Sequence, residues 1–239
     1  MHTNVHVWQI DLDNHPIPPE NLSPAEQARA AQMRHPQARA RFVAGRAALR
    51  AILARYLAID PAEVNITTNA AGKPLLVDGS LQFNLAHSGS RALLAIAREH
   101  PIGIDLERIR PLPDAAGLAA RIFSPAEQVA FAALPEADQL RAIFAAWTRK
   151  EAVAKARGEG LLLPPDRIEV SIQPGQPPRL LRLIGLVEHW TLCDLNVGPD
   201  YAGALAVAGP VAGANSFFTR DESADCPTNA SIIVTAVNM

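Results

Sequence analysis

Two rhythms of apolar and polar residues run along this chain. Alternation predicts strands at Leu81-Gln82-Phe83-Asn84-Leu85, at Gly103-Ile104-Asp105-Leu106-Glu107 and at Ile168-Glu169-Val170-Ser171-Ile172. The runs Ala92-Leu93-Leu94-Ala95-Ile96-Ala97, Arg179 to Leu183 and Ala204-Leu205-Ala206-Val207-Ala208 read as further strands. Between them lie two long Ala/Arg-rich stretches, Ala38 to Leu57 and Gln139 to Arg157, which read as helices. Side chains two apart on a strand share a face, so Asp105 and Glu107 point the same way. Side chains four apart on a helix share a stripe, so Trp147, Glu151 and Lys155 line up. Glycine and proline mark the breaks: a loop at Asn69-Ala70-Ala71-Gly72-Lys73-Pro74, a connector from Pro111 to Asp114, a helix stop at Gly158-Glu159-Gly160, and a hairpin loop from Gln173 to Pro178.

An echo organises these elements. Ser23-Pro24-Ala25-Glu26-Gln27 recurs as Ser124-Pro125-Ala126-Glu127-Gln128. Each copy is a helix start, with Ser as cap, Pro in the first turn and Glu three residues on to complete a capping box. A long helical stretch and then strand-like text follow each copy. The expected fold is therefore α+β, a pseudo-dimer of two similar halves. Each half is a long helix packed on an antiparallel sheet, and the ligand site lies in the cleft between them. The division reads as residues 1–110, residues 111–212 and a polar tail, residues 213–239, expected to be mobile.

Composition narrows the class. The chain has 239 residues, 49% of them hydrophobic, which is enough for a packed core. A formal net charge of −2 argues against a general nucleic-acid binder. Cys193 and Cys226 show neither metal-ligand spacing nor a disulfide framework. There is no basic start followed by an apolar run, and the most apolar stretch is broken by Gly209-Pro210, so neither a secretory signal nor a membrane span is expected. The expectation is a cytoplasmic monomer with no nucleic-acid or membrane partner.

The chemistry sits in two pieces. Asp105 and Glu107 side by side repel one another unless a cation lies between them. Metal binding is the economical reading, although Arg108 and Arg110 could also neutralise the pair. Glu151 and Lys155 taken alone are an ordinary helix-surface pair. Three carboxylates and an ammonium on two rigid elements could hold Mg²⁺ (or Mn²⁺) against a diphosphate and handle one proton. Minor signals accompany them: the Gly72-Lys73-Pro74 loop, His87 at the turn after Phe83-Asn84-Leu85-Ala86, and the arginines Arg39, Arg41 and Arg46 along the first long helix.

The order of these pieces is more specific than any one of them. G-K-P, then F-N-x-x-H-S, then G-I-D-x-E, then W-x-x-K-E-A-x-x-K-x-x-G-x-G-L resembles the 4′-phosphopantetheinyl transferases, in the longer two-lobed form that activates peptide synthetases and other carrier proteins. The resemblance implies two α+β halves around one coenzyme A site. It implies Asp105, Glu107 and Glu151 as ligands of Mg²⁺ on the pyrophosphate, Glu151 as the protein base and Lys155 on the phosphates. It places Lys73, with Gly72 and Pro74, beside the adenine. His87 would hold the 3′-phosphate with Arg41 near it. Relatives commonly have Ser where this chain has Ala86, and Lys in the helix where it has Glu26 and Arg29.

The implied reaction moves 4′-phosphopantetheine from coenzyme A to a serine of an apo acyl, peptidyl or polyketide carrier protein and releases 3′,5′-ADP. The partner is expected to be acidic. Arg108, Arg110 and Arg121 around Leu118, Ile122 and Phe123 are the expected docking stretch. The alternatives are a non-catalytic coenzyme A or nucleotide-binding module of the same fold, another Mg²⁺-dependent phosphoryl enzyme, and a structural protein with decorative surface ion pairs.

Overall fold

The structure is a computed structural model. It describes residues 5–14, 19–158, 163–173, 175–183 and 190–209, with the backbone of 219–220 and 232–234. The tail assigned to 213–239 lies outside the described residues except for two short strands, Thr219–Arg220 and Ile232–Val234; the second pairs with the first strand of the chain. The Gly160-Leu161 end of the second helix motif also lies outside them.

The first half runs β1 (His6–Asp11), α1 (Pro24–Gln32), α2 (Pro36–Leu57), a hairpin of β2 (Ile66–Thr68) and β3 (Pro74–Leu76), then β4 (Gln82–Ser88) and β5 (Arg91–Ala97). The second runs β6 (Ile102–Arg108), α3 (Ala115–Ile122), α4 (Pro125–Ala132), α5 (Glu136–Arg157), a hairpin of β7 (Ile168–Val170) and β8 (Leu180–Leu183), then β9 (Trp190–Asp194) and β10 (Tyr201–Ala208). Pairing repeats with the order. The first sheet has β1–β5–β4 and the second β6–β10–β9, all antiparallel. Among the helices and strands just named, α3 alone has no counterpart in the other half. The sequence division at 110 leaves β6 in the first half, but its ladder partner is β10, so it stands with the second sheet.

The echoed capping boxes form in both copies. Ser23 Oγ accepts the Glu26 N–H while Glu26 Oε2 accepts the Ser23 N–H, and Ser124 and Glu127 do the same. Each capping glutamate is also tied to its own 22-residue helix. Glu26 receives Arg46 and Arg50 of α2 at 2.5 and 2.6 Å, and Glu127 receives Lys150 of α5 at 2.5 Å. This gives Glu26 a structural task.

Three apolar clusters stack the layers. Leu49 and Leu53 of α2 meet Ile10, Phe83 and Leu94 of the first sheet, and Ile143 and Val153 of α5 meet Ala204 and Ala206 of the second. Val7, Leu93 and Ala95 meet Ile104, Leu106, Leu205 and Val207 between the two sheets. The order is helix, sheet, sheet, helix. Strands β1 and β9, absent from the sequence expectation, are covered on both faces: Trp8 and Ile10 enter the first cluster and Val7 the third, while Leu192 enters the second and Cys193 the third. Double coverage erases the alternation that marks a half-exposed strand.

Small residues bring α5 down onto β6. A Cβ built on Gly103 would lie 2.0 Å from the Ala152 carbonyl oxygen and 2.3 Å from the Ala156 nitrogen, both backbone atoms of α5. Neither can yield as a side chain would. We expect Gly103→Ala to push β6 off α5 and to cost about 3 kcal/mol; a thermal melt equal to wild type would show that the helix moves freely instead.

Candidate active site

That close approach faces Asp105 with Lys155. Gly103, Asp105 and Glu107 share the face of β6 turned to α5, whereas Ile104 and Leu106 enter the cluster between the sheets. Opposite Asp105 in the ladder stands Ala204, which leaves the carboxylate room. Lys155 Nζ donates to Asp105 Oδ1 at 2.5 Å. Asp105 Oδ2 is buried with no hydrogen-bond partner. Glu107 Oε2 accepts a hydrogen bond from Ser88 Oγ at 3.0 Å. Glu151, one turn before Lys155 on α5, is half-buried.

The electrostatics follow from this crowding. Burial lifts the Asp105 carboxyl above its ordinary range, and Lys155 only partly offsets it. Burial also raises Glu107, with the Asp105 charge adding to it. Glu151 is raised by burial, Asp105 and Glu107 together, against Lys155. The three acids expected to act together therefore bear on one another in one partly buried space.

Three carboxylates are hard oxygen donors of the kind Mg²⁺ and Mn²⁺ take. The buried, unpartnered Asp105 Oδ2 is an oxygen of the kind such an ion takes, so the residues fit it in chemistry. They are not drawn into a closed set: among the described residues no group of three His, Cys, Asp or Glu side chains is close enough to hold a metal. Lys155 occupies one oxygen of Asp105 instead.

The remaining expected residues are placed as follows. Gly72 adopts φ +83° in the turn and Pro74 opens β3. The Lys73 ammonium donates to the carbonyls of Ile102 (3.0 Å) and Ala156 (3.4 Å), and burial lowers its pKa to about 8. With Asn69, which donates to Gly158 O at 2.9 Å, it pins the loop to the C-terminal end of α5, where the helix dipole favours a cation. His87 is exposed on β4. Ala86 is buried between the sheets and alternates to the face opposite His87, so a hydroxyl at 86 would point into the apolar seam. Arg41 is held by Asp13 through two bonds of 2.7 Å.

The docking expectation needs a correction. Ile122 and Phe123 are buried in the second cluster, because α3 packs against α5 and offers them no route to solvent. Arg108, Arg110 and Arg121 are exposed, and Leu118 is half-buried.

Several polar residues carry more structure than the sequence reading gave them. Lys150 is buried, donating to Glu127, to Ile122 O at 2.8 Å and to Pro165 O at 3.0 Å. Arg149 grips Asp194 of β9 through Nε at 2.8 Å and also donates to Ser171 O. Asn84 Oδ1 accepts the Ile104 N–H at 2.8 Å and Ser88 Oγ the Arg108 N–H at 3.0 Å, joining β4 to β6 where no ladder forms. The signals were present: Lys150 shares the apolar stripe of Ile143, Ala146 and Val153, and Asn84 and Ser88 sit four apart on one strand face.

Comparison with known proteins follows the same two halves. The sequence model of the 4′-phosphopantetheinyl transferase superfamily matches residues 101–206, and that of the 4′-phosphopantetheinyl transferase N-terminal region matches 7–99. The chain is 38% identical over 217 residues to the 4′-phosphopantetheinyl transferase HetI of Nostoc sp., covering 86% of this chain and 88% of that one. It is 29% identical to the 4′-phosphopantetheinyl transferase Sfp of Bacillus subtilis, over 79% of this chain and 83% of the other. A third relative, the 4′-phosphopantetheinyl transferase AcpT of Salmonella typhimurium, is 38% identical over 50% of this chain and 59% of its own.

Proposed function

The chain belongs to the 4′-phosphopantetheinyl transferase superfamily, and we propose that it transfers 4′-phosphopantetheine from coenzyme A to a carrier-protein serine at the Asp105–Glu151–Lys155 seam. What supports the placement is the buried Asp105 Oδ2, left unpartnered with Lys155 at its side, while Glu107 and Glu151 are near enough for their charges to act on one another. A non-catalytic coenzyme A-binding module has no use for such a set.

Asp105, Glu107 and Glu151 would hold Mg²⁺ (or Mn²⁺), which when bound offsets negative charge on the pyrophosphate. The carrier serine oxygen attacks the β-phosphorus of coenzyme A. A new O–P bond forms, the bond to the adenosine-bearing phosphate breaks, and 3′,5′-ADP departs. Serine is a weak nucleophile at neutral pH, so its proton needs an acceptor. Glu151 takes it, as the carboxylate one turn from Lys155 on the same stripe of α5. Lys155 swings from Asp105 to the departing phosphate and balances its charge. Arg41 and His87 sit in the first half, where the 3′-phosphate would be held.

The test is mass spectrometry of an apo carrier incubated with this protein, coenzyme A and Mg²⁺. The carrier gains the phosphopantetheine mass, and Glu151→Gln or chelation of the metal abolishes the gain. Full transfer by Glu151→Gln would remove that residue from the chemistry.

The carrier should be acidic, because the surface beside β6 and α3 presents Arg108, Arg110 and Arg121. Arg121→Glu is expected to raise the apparent carrier KM on the order of tenfold and leave the KM for coenzyme A unchanged. A change confined to the coenzyme A constant would move the docking surface elsewhere.

A further inference from the structure

Glu107 belongs to the second half, yet the side chain that holds it comes from the first. Ser88 is the last residue of β4, and its Oγ makes two bonds across the seam: it donates to Glu107 Oε2 and accepts the Arg108 N–H, both at 3.0 Å. The hydroxyl is thereby oriented, since its single proton goes to the carboxylate and a lone pair goes to the amide. Its backbone is fixed too. Ser88 pairs with Arg91 across the two-residue turn Gly89-Ser90, with Gly89 at φ +60°, and the Leu12 N–H closes on Ser90 O at 2.7 Å. Four residues earlier, Asn84 takes the Ile104 N–H at 2.8 Å. The two side chains grip β6 on either side of Asp105, at backbone groups four residues apart.

Asp105 is directed by Lys155, whereas the hydrogen bond that directs Glu107 comes from the Ser88 hydroxyl. With Oε2 held by Ser88, its other oxygen, Oε1, makes no hydrogen bond or ion pair among the described residues. We propose that Ser88 is a positioning residue that aims Glu107 into the space shared with Asp105 and Glu151, so that the ligand set is completed only when the first half is docked on the second. The inference rests on Glu107 acting as a metal ligand. Groups that orient metal ligands typically change metal affinity by about 10–100-fold when removed.

The test is Mn²⁺ binding in the presence of coenzyme A, followed through the paramagnetic resonance of the free ion. It compares wild type, Ser88→Ala, Ser88→Thr, Glu107→Gln and the Ser88→Ala/Glu107→Gln double variant. Ser88→Ala should weaken Mn²⁺ about tenfold or more, and Ser88→Thr, which keeps the hydroxyl, should recover most of the loss. In the Glu107→Gln background Ser88→Ala should add little, since the residue through which it acts has gone. Equal Mn²⁺ affinity of Ser88→Ala and wild type overturns the proposal and leaves the metal reading standing. So does an equal fold-loss in the Glu107→Gln background, which would make the bond a seam contact only. A wild type that binds no Mn²⁺ overturns the metal reading and this proposal with it.

Discussion

Asp105→Asn should reduce kcat/KM by about 10²–10³-fold, the loss typical of removing one preorganised charged group from a reaction centre. The same substitution should not destabilise the protein. Asparagine keeps the shape of the side chain and removes a charge that burial disfavours. The sign follows from the direction of the shift. The folded-state pKa of Asp105 lies above the ordinary 3.8, so the folded state holds this proton more tightly than the unfolded chain does. Ionised Asp105 therefore costs stability at neutral pH, and this cost fades as pH falls through the raised value toward 3.8. The metal-free variant should melt at or above the wild-type temperature near about pH 7, with the gap closing on acidification. Scanning calorimetry of both proteins across that range checks it. A variant that melts well below wild type at neutral pH would mean that the Lys155 bond outweighs desolvation. The pattern expected is of a site that spends stability on function.

Lys150→Met should do the reverse, costing about 3–5 kcal/mol of stability, the usual penalty for removing one partner of a buried ion pair. Lys150 is 1% exposed and serves three acceptors: Glu127, the Ile122 carbonyl and the Pro165 carbonyl. Without the ammonium, Glu127 is a buried carboxylate held, among the described residues, by the backbone N–H groups of Ser124 and Val170 alone. For a chain of this size the melting temperature should fall on the order of 10 °C. The double variant Lys150→Met/Glu127→Leu should recover part of the loss, because an apolar pair leaves no charge stranded. A single variant within about 1 kcal/mol of wild type would mean that water reaches Glu127. In the first half Glu26 is shared between Arg46 and Arg50, so removing either arginine alone should cost less.

These two residues divide the question of what could be read in advance. Both stand in short motifs, but only Asp105 raised a functional expectation, because two acids on one strand face need an explanation and a lysine on a long helix does not. The repeated Ser-Pro-Ala-Glu-Gln announced the duplication, and both capping boxes form as their residue types require. The long helices and strands β4 and β6 followed from periodicity, and β5 from an unbroken apolar run. Strands β1 and β9 carry neither signal: with both faces covered their apolar residues do not alternate, and Gln9 and Thr191 interrupt the run. Ile122 and Phe123 were read as a docking surface because sequence cannot distinguish an apolar residue facing a partner from one facing its own core.

What the sequence determined by itself is therefore local: caps, turns, the period of each element, and which side chains share a face. Those follow from backbone geometry within a few residues. What only the tertiary structure decided is who meets whom across the chain. Gly103 matters because α5 lies against it, Lys73 spends its ammonium on the carbonyls of Ile102 and Ala156, and Ser88 of one half steers Glu107 of the other. Such contacts join residues tens of positions apart, and they arise from how two sheets and two helices share the space between them, which no local pattern encodes.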